Sequence, residues 1–578
     1  MKKILPILLV GLVFSAVYAQ QGKYNRKSVS SLDAAWIKKG ISSNINIEML
    51  TDFMKFYIEV PRFDFNSLPK SQVSKFLSKA NATDDVTSEK LAGLMEETIV
   101  KDIMSILNDP EVKKNRGLAL KSESDFNTFA ATKAKSLGLT TEELKVLMNS
   151  AYIYLPYISK YETKTEESTV NLEVGGGIIW WQVTVSPNGD ASVNEVLNAE
   201  TKAISSLDKA AKDSKGKPRD YSKFSFNEKD YKTTADTYIQ GDAFLAFAKN
   251  LSVKTKNLSD FKLQAQIASS EGRKFQVGLG RKEGLFLDDG YFIVEMSENA
   301  SGETVEIKKA FSRVAKTGDN RENSNNLTDM KKVYGENGDV GQLIVEHPTL
   351  GTDIRVRLGS FVVSGDPGYR SDKQFLNGSV NYSYNMAPIV NISQFYLDMM
   401  IGVSAHANGG DEDAANKRYG AVKEAGAQAL IGIGFGVHKK LNFGRLNVPV
   451  GLLYKYQLAS VSGENEIAEF YRGGGSVLSE TVTDEGLQLA GHAAELHLGV
   501  QFMVNQDIMI HAGYHMDVYN ELNSVKVGEE ELEFGTGLGQ VDINKDFYKS
   551  SFLTIGIDYT LKELPVNIFG SLDPLKKY

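Results

Sequence analysis

The stretch Ala494-Glu-Leu-His-Leu-Gly-Val-Gln-Phe502 alternates between apolar and polar residues. Leu496 and Leu498 share one parity, and His497 and Gly499 share the other. Successive side chains of a β-strand point to opposite faces, so this stretch has one apolar and one polar face. Such a pattern is typical of a strand whose outer face meets lipid and whose inner face lines the lumen of a barrel.

Seven further stretches show the same alternation, and short and long connections take turns between them. The eight stretches cover about 376–386, 395–406, 431–438, 450–458, 494–502, 508–517, 553–560 and 566–573. Together they predict a C-terminal eight-stranded antiparallel transmembrane β-barrel over residues 370–578. A soluble lipocalin-like barrel or sandwich is the alternative. The membrane interpretation is favoured because the apolar parity is continuous and rich in Tyr and Phe, while the other is rich in Gly and charge.

The start of the chain and its composition indicate an exported protein. Residues 1–19 predict a signal peptide, in which Lys2 and Lys3 precede an apolar run too short to span a bilayer. The absence of Cys excludes disulfides, thiol catalysis and Cys-ligated zinc. The net charge of −8 over 578 residues is mild and no basic run is present, so we expect no nucleic-acid partner.

The region before the barrel is expected to be α+β and to comprise several domains. Residues 20–165 are predicted to be mainly helical, because apolar residues recur there at helical spacing. Residues 166–255 are predicted to form an αβ segment, with helices near 195–213 and 233–250 and a linker at 214–230. Residues 256–365 are predicted to form a small β module, including strands at 341–346 and 353–363.

Two resemblances add to this interpretation. The stretch Thr554-Ile-Gly-Ile-Asp-Tyr-Thr-Leu-Lys-Glu-Leu-Pro-Val-Asn-Ile-Phe569 resembles the closing region of small outer-membrane β-barrel proteins of Bacteroidetes-type bacteria. Residues 375–578 more loosely resemble the OmpA/OmpX-like eight-stranded class. These resemblances imply a barrel in the outer membrane and no particular substrate. Residues 260–360 resemble the small SH3-like modules of bacterial envelope proteins, which bind partners or act as spacers.

The predicted strands leave a problem of orientation. With these eight strands, both ends of the barrel lie on the side of the long loops, which are normally extracellular. Either a strand is missed at one end, or the long loops face the periplasm, or the N-terminal part is displayed outside. The general topology of outer-membrane proteins favours a miscount and a periplasmic N-terminal region.

The hairpin of the fifth and sixth predicted strands brings polar residues together. A three-residue turn at 505–507 sets His497 opposite His515, Glu495 opposite Asp517, and Gln501 opposite His511. Imidazoles and carboxylates inside a barrel could bind a divalent metal or act as acid–base groups. The favoured alternative is an ionic network that fills the lumen. The predicted lumen cluster comprises His497, His515, Glu495, Asp517, His511, Lys455, Asp398 and Asp558.

Motifs for catalysis are weak. His492, Glu495 and His497 superficially resemble a zinc-protease motif, but a strand places the two His residues on opposite faces. No nucleophile elbow occurs. We therefore expect no enzyme, no catalytic residue, no metal and no cofactor.

The expected role is structural. We expect a barrel in outer-membrane lipid that anchors a soluble, periplasmic module, which binds an envelope protein or peptidoglycan. A narrow channel is the alternative, and a barrel enzyme acting on lipid or peptide is less favoured.

Overall fold

The computed structural model describes residues 27–564 with internal gaps. The gaps are 33–34, 42–44, 60–61, 84–85, 116–127, 131, 136–140, 142–150, 186–189, 214, 299–303, 324, 365–369, 407–427, 462–486, 528–529 and 532–549. The predicted signal peptide and the predicted strand at 566–573 lie outside the described residues.

The N-terminal unit is built on one mixed sheet. Its strands are β1 (Lys27–Ser31), β2 (Trp36–Ile37), β3 (Phe63–Ser67), β4 (Tyr152–Glu166), β5 (Thr169–Val185) and β6 (Ala191–Asp208). Their order is β3-β1-β4-β5-β6, and β2 pairs with β4. The hairpin of β7 (Lys223–Phe226) and β8 (Lys229–Lys232) stands apart from this sheet. Because the sheet includes strands from both sides of residue 165, the predicted division there does not separate two units.

Helices cover both faces of this sheet. They are α1 (Ile47–Glu59), α2 (Lys70–Ala82), α3 (Ser88–Met95), α4 (Lys101–Leu107), α5 (Pro110–Asn115) and α6 (Ala235–Lys256). Adjacent residues of β5 enter different cores, since Trp180 packs with α1 and α6 and Trp181 packs with α2 to α4. No helix among the described residues is long and apolar enough to cross a membrane.

One predicted helix is wrong. Residues 191–208 form β6, which pairs along nearly its whole length with β5, instead of a helix at 195–213. Thr201, Ala203, Ser205 and Leu207 are buried, a period of two that the largely polar composition of residues 191–208 obscures. Seventeen residues of β5 offer a continuous pairing partner, and such a tertiary context overrides helix propensity. The predicted linker also contains β7 and the start of β8.

Residues 264–347 form a closed barrel of six antiparallel strands. These are β9 (Gln264–Glu271), β10 (Lys274–Val277), β11 (Gly290–Glu298), β12 (Thr304–Lys316), β13 (Thr328–Gly335) and β14 (Leu343–His347). The strand order is β10-β13-β12-β11-β14-β9, and β9 pairs with β10 to close it. Its interior is apolar and includes Phe275, Tyr291 and Ile344. We call this barrel the module.

The C-terminal part is a second closed antiparallel barrel, with eight long strands. They are β15 (Thr352–Ser364), β16 (Arg370–Asn385), β17 (Phe395–His406), β18 (Gln428–Phe443), β19 (Leu446–Val461), β20 (Leu487–Met503), β21 (Ile508–Val527) and β23 (Ser550–Thr560). Each strand pairs with its neighbours in the chain, β15 pairs with β23, and β22 (Glu530–Glu531) extends β21. A short helix, α7 (Ala387–Val390), lies in the connection from β16 to β17. The fold class predicted from the sequence is confirmed.

The first strand of this barrel, β15, was predicted to belong to the module. β15 pairs with β16 from Thr352 to Ser364, so the predicted module boundary at 365 is wrong and the barrel begins at 352. The seven predicted strands between 376 and 560 are present. With β15 counted first, the chain enters the barrel at 352 and leaves it at 560 on the side of the short turns. The orientation problem therefore came from a miscount.

The two faces of the eight-stranded barrel differ sharply in polarity. Outward side chains such as Leu358, Phe435 and Ile555 are exposed by 62%, 55% and 67%. Inward side chains are polar and buried. Since large exposed apolar belts are unstable in water, this surface is one that spans a lipid bilayer. Tyr382 and Tyr384 have the predicted outward parity, but they are buried under the soluble region instead of facing lipid.

Candidate functional site

The lumen of the eight-stranded barrel holds the predicted polar cluster. The β20–β21 hairpin has the predicted register, with His497 opposite His515 and Glu495 opposite Asp517. Gln501 lies opposite His511 in the same hairpin. All eight predicted cluster residues are buried inside the barrel, although they fall into separate groups along its axis.

The first group is centred on Lys455. Its Nζ lies 2.8 Å from Oε2 of Glu495 and 2.8 Å from Oδ1 of Asp517, so one cation neutralises two carboxylates. The other oxygen of Glu495 lies 2.7 Å from Nδ1 of His515, and Nε2 of His515 lies 3.0 Å from Oγ1 of Thr554. This group links the neighbouring strands β19, β20, β21 and β23 on the inner wall of the barrel.

The second group is centred on Asp558 and lies nearer the short turns. Nε of Arg355 lies 2.9 Å from both oxygens of Asp558, and Gln501 donates to Oδ2. His511 Nδ1 lies 3.1 Å from Oδ1 of the same carboxylate. The arrangement holds β15 against β23 through a buried ion pair.

A third group surrounds Asp398. Oδ2 of Asp398 lies 2.6 Å from Nδ1 of His438, and Oδ1 accepts a hydrogen bond of 2.5 Å from Ser383. The His438 ring stacks on Tyr396 at 4.7 Å between centroids. Closest to the short turns, Lys440 Nζ lies 2.9 Å from Oδ2 of Asp353.

Several members of this network were not among the predicted residues. Arg355, Arg357 and Asp353 lie on β15, which had been assigned to the module. The signal was present, since Asp353-Ile-Arg-Val-Arg-Leu358 alternates as the other barrel strands do. Lys440 was missed because the predicted third strand ended at 438, whereas β18 continues to 443.

His497, a central member of the predicted cluster, makes no hydrogen bond within the described part of the chain. Its ring lies 5.7 Å from that of His515 and 6.0 Å from that of His438. A Cβ at Gly451 would collide with the His497 ring, so this glycine provides the space for the imidazole. Nε of Arg357 likewise has no hydrogen-bond partner in the described ranges.

The chemistry of the lumen is that of a plug. Within the described residues, no group of three or more His, Cys, Asp or Glu side chains could hold a metal ion. Buried cations and carboxylates neutralise each other in pairs and triads, as buried charges must. A cavity of about 40 Å³ remains beside Arg357, Lys455 and Glu495, which has room for about one water molecule.

A second polar constellation joins the module to the barrel. Asp288, in the loop before β11, accepts hydrogen bonds from Ser393 Oγ at 2.6 Å, from Asn385 Nδ2 at 3.3 Å and from the backbone N–H of Gln394. Arg313 of the module donates to Gln394 Oε1 at 2.6 Å. These contacts hold the connection from β16 to β17.

The other two short turns of the barrel are held as well. His347 Nε2 lies 2.7 Å from Oδ1 of Asp507, in the turn from β20 to β21. Burial would raise the pKa of Asp507, but the hydrogen bond and charge of His347 outweigh burial and lower it. In the turn from β18 to β19, Arg445 lies 4.1 Å above the ring of Tyr334. The module therefore touches all three turns at this end of the barrel, and Met503 joins its apolar contacts.

Comparisons with known proteins give structural likenesses alone. No family model matches the chain, and neither does any curated protein. Among solved structures, it is similar to Neisserial surface protein A, with 14% identity, a TM-score of 0.22 and coverage of 37% of this chain and 100% of that one. It is also similar to Ail of Yersinia pestis, with 10% identity, a TM-score of 0.21 and coverage of 36% and 97%.

A third similar structure is a major outer membrane protein from Thermus thermophilus. It has 10% identity, a TM-score of 0.24 and coverage of 36% of this chain and 99% of that one. The predicted resemblance to small outer-membrane barrels is thus found, whereas these matches support neither the SH3-like nor the Bacteroidetes-type resemblance. TM-scores this low carry no argument about function, and the membrane-spanning character of the barrel follows from its own two faces.

Proposed function

We propose that the chain is an outer-membrane protein in which a plugged barrel anchors a soluble region, residues 27–351, that binds a partner in the cell envelope. The observation that carries this proposal is the joint between the module and the three turns at the adjacent end of the barrel, those from β16 to β17, from β18 to β19 and from β20 to β21. A channel needs an open lumen, whereas an anchor needs a firm attachment.

The plug supports the role of an anchor. The triad of Lys455, Glu495 and Asp517 and the pair of Arg355 and Asp558 lie inside the lumen at two levels. Moving ions through would require these buried pairs to separate, and separating a buried pair costs about 3–5 kcal/mol. We therefore expect the barrel to carry no steady ionic current.

The side of the membrane follows from the general architecture of such barrels. In outer-membrane barrels the short turns face the periplasm and the long loops face outward. The soluble region lies on the side of the short turns, so the proposal places it in the periplasm. A partner there is an envelope protein or peptidoglycan, and the proposal includes neither catalysis nor nucleic-acid binding. The SH3-like and Bacteroidetes-type resemblances stay predictions.

An open groove on the N-terminal unit is the proposed contact surface for the partner. It has a volume of about 360 Å³ and lies between α1 and the β7–β8 hairpin. Phe56, Phe226 and Tyr231 give it aromatic walls, and Asp52 and Lys229 supply charge at its edge. Aromatic side chains beside charged ones are typical of protein contact surfaces.

The test measures on which side of the membrane the soluble region lies, whether the barrel conducts ions, and whether the groove contacts a partner. Protease treatment of intact cells should leave residues 27–351 uncleaved, and the purified chain should give no discrete current steps in planar bilayers. A photo-crosslinking amino acid at Lys55, on the groove, should form an adduct in cells. The same amino acid at Lys331, an exposed position on the module, is the matched control.

Purified peptidoglycan sacculi distinguish the two kinds of partner. Co-sedimentation of the pure chain with sacculi would indicate peptidoglycan, and a protein adduct at Lys55 without co-sedimentation would indicate an envelope protein. Steady conductance, cleavage on intact cells, or neither adduct nor co-sedimentation would overturn the proposal.

A further inference from the structure

A pocket lies where the N-terminal unit, the module and the outer wall of the eight-stranded barrel meet. Its volume is about 160 Å³. Tyr57 and α6 form one side, the loop 284–289 and the segment 346–351 form another, and Tyr382 and Tyr384 form the barrel side. A pocket of this size suits a headgroup of a few heavy atoms and is too small for a drug-sized ligand.

The position of the pocket relative to the membrane follows from β16. Val380 points outward and is 48% exposed, so it belongs to the apolar belt. Tyr382 and Tyr384 have the same parity closer to the short turns and are covered by the soluble region. The pocket therefore lies at the edge of the apolar belt, on the outside of the barrel. Aromatic side chains such as these are typical of the bilayer interface.

The polar groups of the pocket carry both signs of charge. Lys249 and Lys256 are seven residues apart on α6, so they lie on the same helix face. Asp289 and Glu346 come from the module. Glu346 is already held by the guanidinium of Arg62, and Asp289 accepts a hydrogen bond of 2.8 Å from the Phe286 backbone N–H. Two ammonium groups and the carboxyl of Asp289 therefore line the same small space.

We propose that this pocket binds the phosphoethanolamine headgroup of a phospholipid in the adjacent leaflet. The phosphate lies against Lys249 and Lys256, and the ammonium of the ethanolamine donates to Asp289. The acyl chains leave past Tyr382 toward the apolar belt at Val380. The lipid then touches all three parts of the protein and strengthens the joint between them.

The carboxyl of Asp289 suits an ammonium ligand. Burial raises the pKa of Asp289 to about 7 even though the charges of Lys256 and Arg62 act to lower it, so the charged form still carries a cost of burial. An ammonium group removes that cost, and charge-assisted hydrogen bonds are the strong ones. A choline headgroup has no N–H to donate, so the pocket should discriminate ethanolamine from choline lipids.

The proposal rests on the barrel spanning a membrane, and its test is independent of which side the soluble region occupies. Native mass spectrometry of the full chain in detergent, with phosphatidylethanolamine, phosphatidylcholine or phosphatidylglycerol added, measures bound lipid. We expect one retained phosphatidylethanolamine, favoured over phosphatidylcholine by about tenfold or more. Soluble phosphoethanolamine and inorganic phosphate distinguish a lipid site from a plain phosphate site.

Variants locate the site. Asp289→Asn should abolish the preference for ethanolamine over choline, and Lys249→Met with Lys256→Met should reduce the binding of all three lipids. Lys202→Met, at an exposed position on β6 outside the pocket, is the matched control and should bind as the unmodified chain does. Equal binding of ethanolamine and choline lipids, unchanged binding in the pocket variants, or binding of inorganic phosphate alone would overturn the proposal.

A measurement on the unmodified chain tests the lipid site even if the variants fail to fold. A phosphatidylethanolamine with a photoreactive group on its headgroup should label peptides from α6 and from the loop 284–289. Labelling spread evenly around the outer wall of the barrel would contradict a specific pocket. If the contact with the partner is absent but the lipid label is retained, the proposed function is wrong and the lipid site is still supported.

Discussion

The ion pair between Arg62 and Glu346 should dominate the attachment of the N-terminal unit to the module. Both side chains are buried, with 5% and 7% of their surface exposed, and the guanidinium contacts both carboxylate oxygens. Arg62 also donates to the carbonyl of Phe261 at 2.9 Å, and Glu346 accepts from the N–H of Leu263 at 3.0 Å. Arg62→Met therefore leaves a carboxylate buried without its cation, which costs about 3–5 kcal/mol.

The double variant provides the matched control. Replacing both members of a buried pair by apolar residues is often neutral, because no charge is left uncompensated. Arg62→Met with Glu346→Leu should therefore recover part of the loss. The part that stays lost comes from the hydrogen bonds of the Phe261 carbonyl and of the Leu263 N–H, each worth about 1 kcal/mol.

Tryptophan fluorescence is the natural assay. The three tryptophans of the chain, Trp36, Trp180 and Trp181, are all buried in the N-terminal unit. Trp180 packs edge-on against Phe261 at 4.8 Å, next to the carbonyl that Arg62 holds. For a unit of this size, a loss of about 3–5 kcal/mol lowers Tm by about 6–20 °C. Melting of the full chain in detergent should show this drop for the single variant.

The pH dependence gives a second check on the same pair. Burial alone would raise the pKa of Glu346, but the charge and hydrogen bonds of Arg62 outweigh it, so the pKa lies below its usual value. A lowered carboxyl pKa contributes stability above the unfolded pKa, and that stability is lost as the pH falls through the folded pKa. The deficit of Arg62→Met should therefore be full at pH 7 and shrink in acid. A Tm indistinguishable from that of the unmodified chain at pH 7 would refute the buried pair.

Further predictions concern titration, the plug and the space around one imidazole. Burial raises the pKa of Asp289 to about 7, so the stability that this carboxyl contributes is present below its unfolded pKa and is lost as the pH rises through 7. Asp289→Asn should therefore flatten the fall in Tm between pH 5 and pH 8. An unchanged fall in Tm would contradict this role of Asp289. Lys455→Met removes the cation that lies between two buried carboxylates, so urea denaturation followed by far-UV circular dichroism should show a loss of about 3–5 kcal/mol. An unchanged midpoint would mean that the triad is hydrated. Gly451→Ala should displace His497 and speed hydrogen exchange in β19, whereas Gly378→Ala, whose nearest neighbour atom is 3.8 Å away, should not; equal exchange in both would contradict the packing.

The barrel was predictable because its physical constraint is local. Lipid outside and a polar lumen inside force a period of two on every strand, so each strand carries its own signal. The β20–β21 register followed from the length of one turn, which placed His497 opposite His515. The grouping of the cluster was not predictable, because Arg355, the direct cross-strand partner of Asp558, lies on β15, which had been assigned to the module. Alternation also does not report which inward side chains meet.

The predictions for two segments, β6 and β15, were wrong for a different reason. The residues of β6 have the composition of a polar helix, and only the long pairing with β5 makes them a strand. β15 was recognised as a strand but assigned to the wrong barrel, because the module and the large barrel are adjacent in sequence and both are antiparallel. Which neighbour a strand pairs with depends on tertiary contacts that alternation does not report.

The assignment of β15 to the large barrel also determines at which end of that barrel the flanking segments lie. An antiparallel barrel with an even number of strands returns the chain to the side on which it entered, so the identity of the first strand decides on which side both flanking segments lie. The described end of the chain agrees, since the backbone of Leu564 bonds both to Nδ2 and to Oδ1 of Asn250 on α6. Glu563 also accepts from Thr201 on β6 at 3.0 Å. The segment after β23 thus returns to the N-terminal unit, and cutting between 560 and 563 should weaken the docking of that unit while leaving the barrel closed.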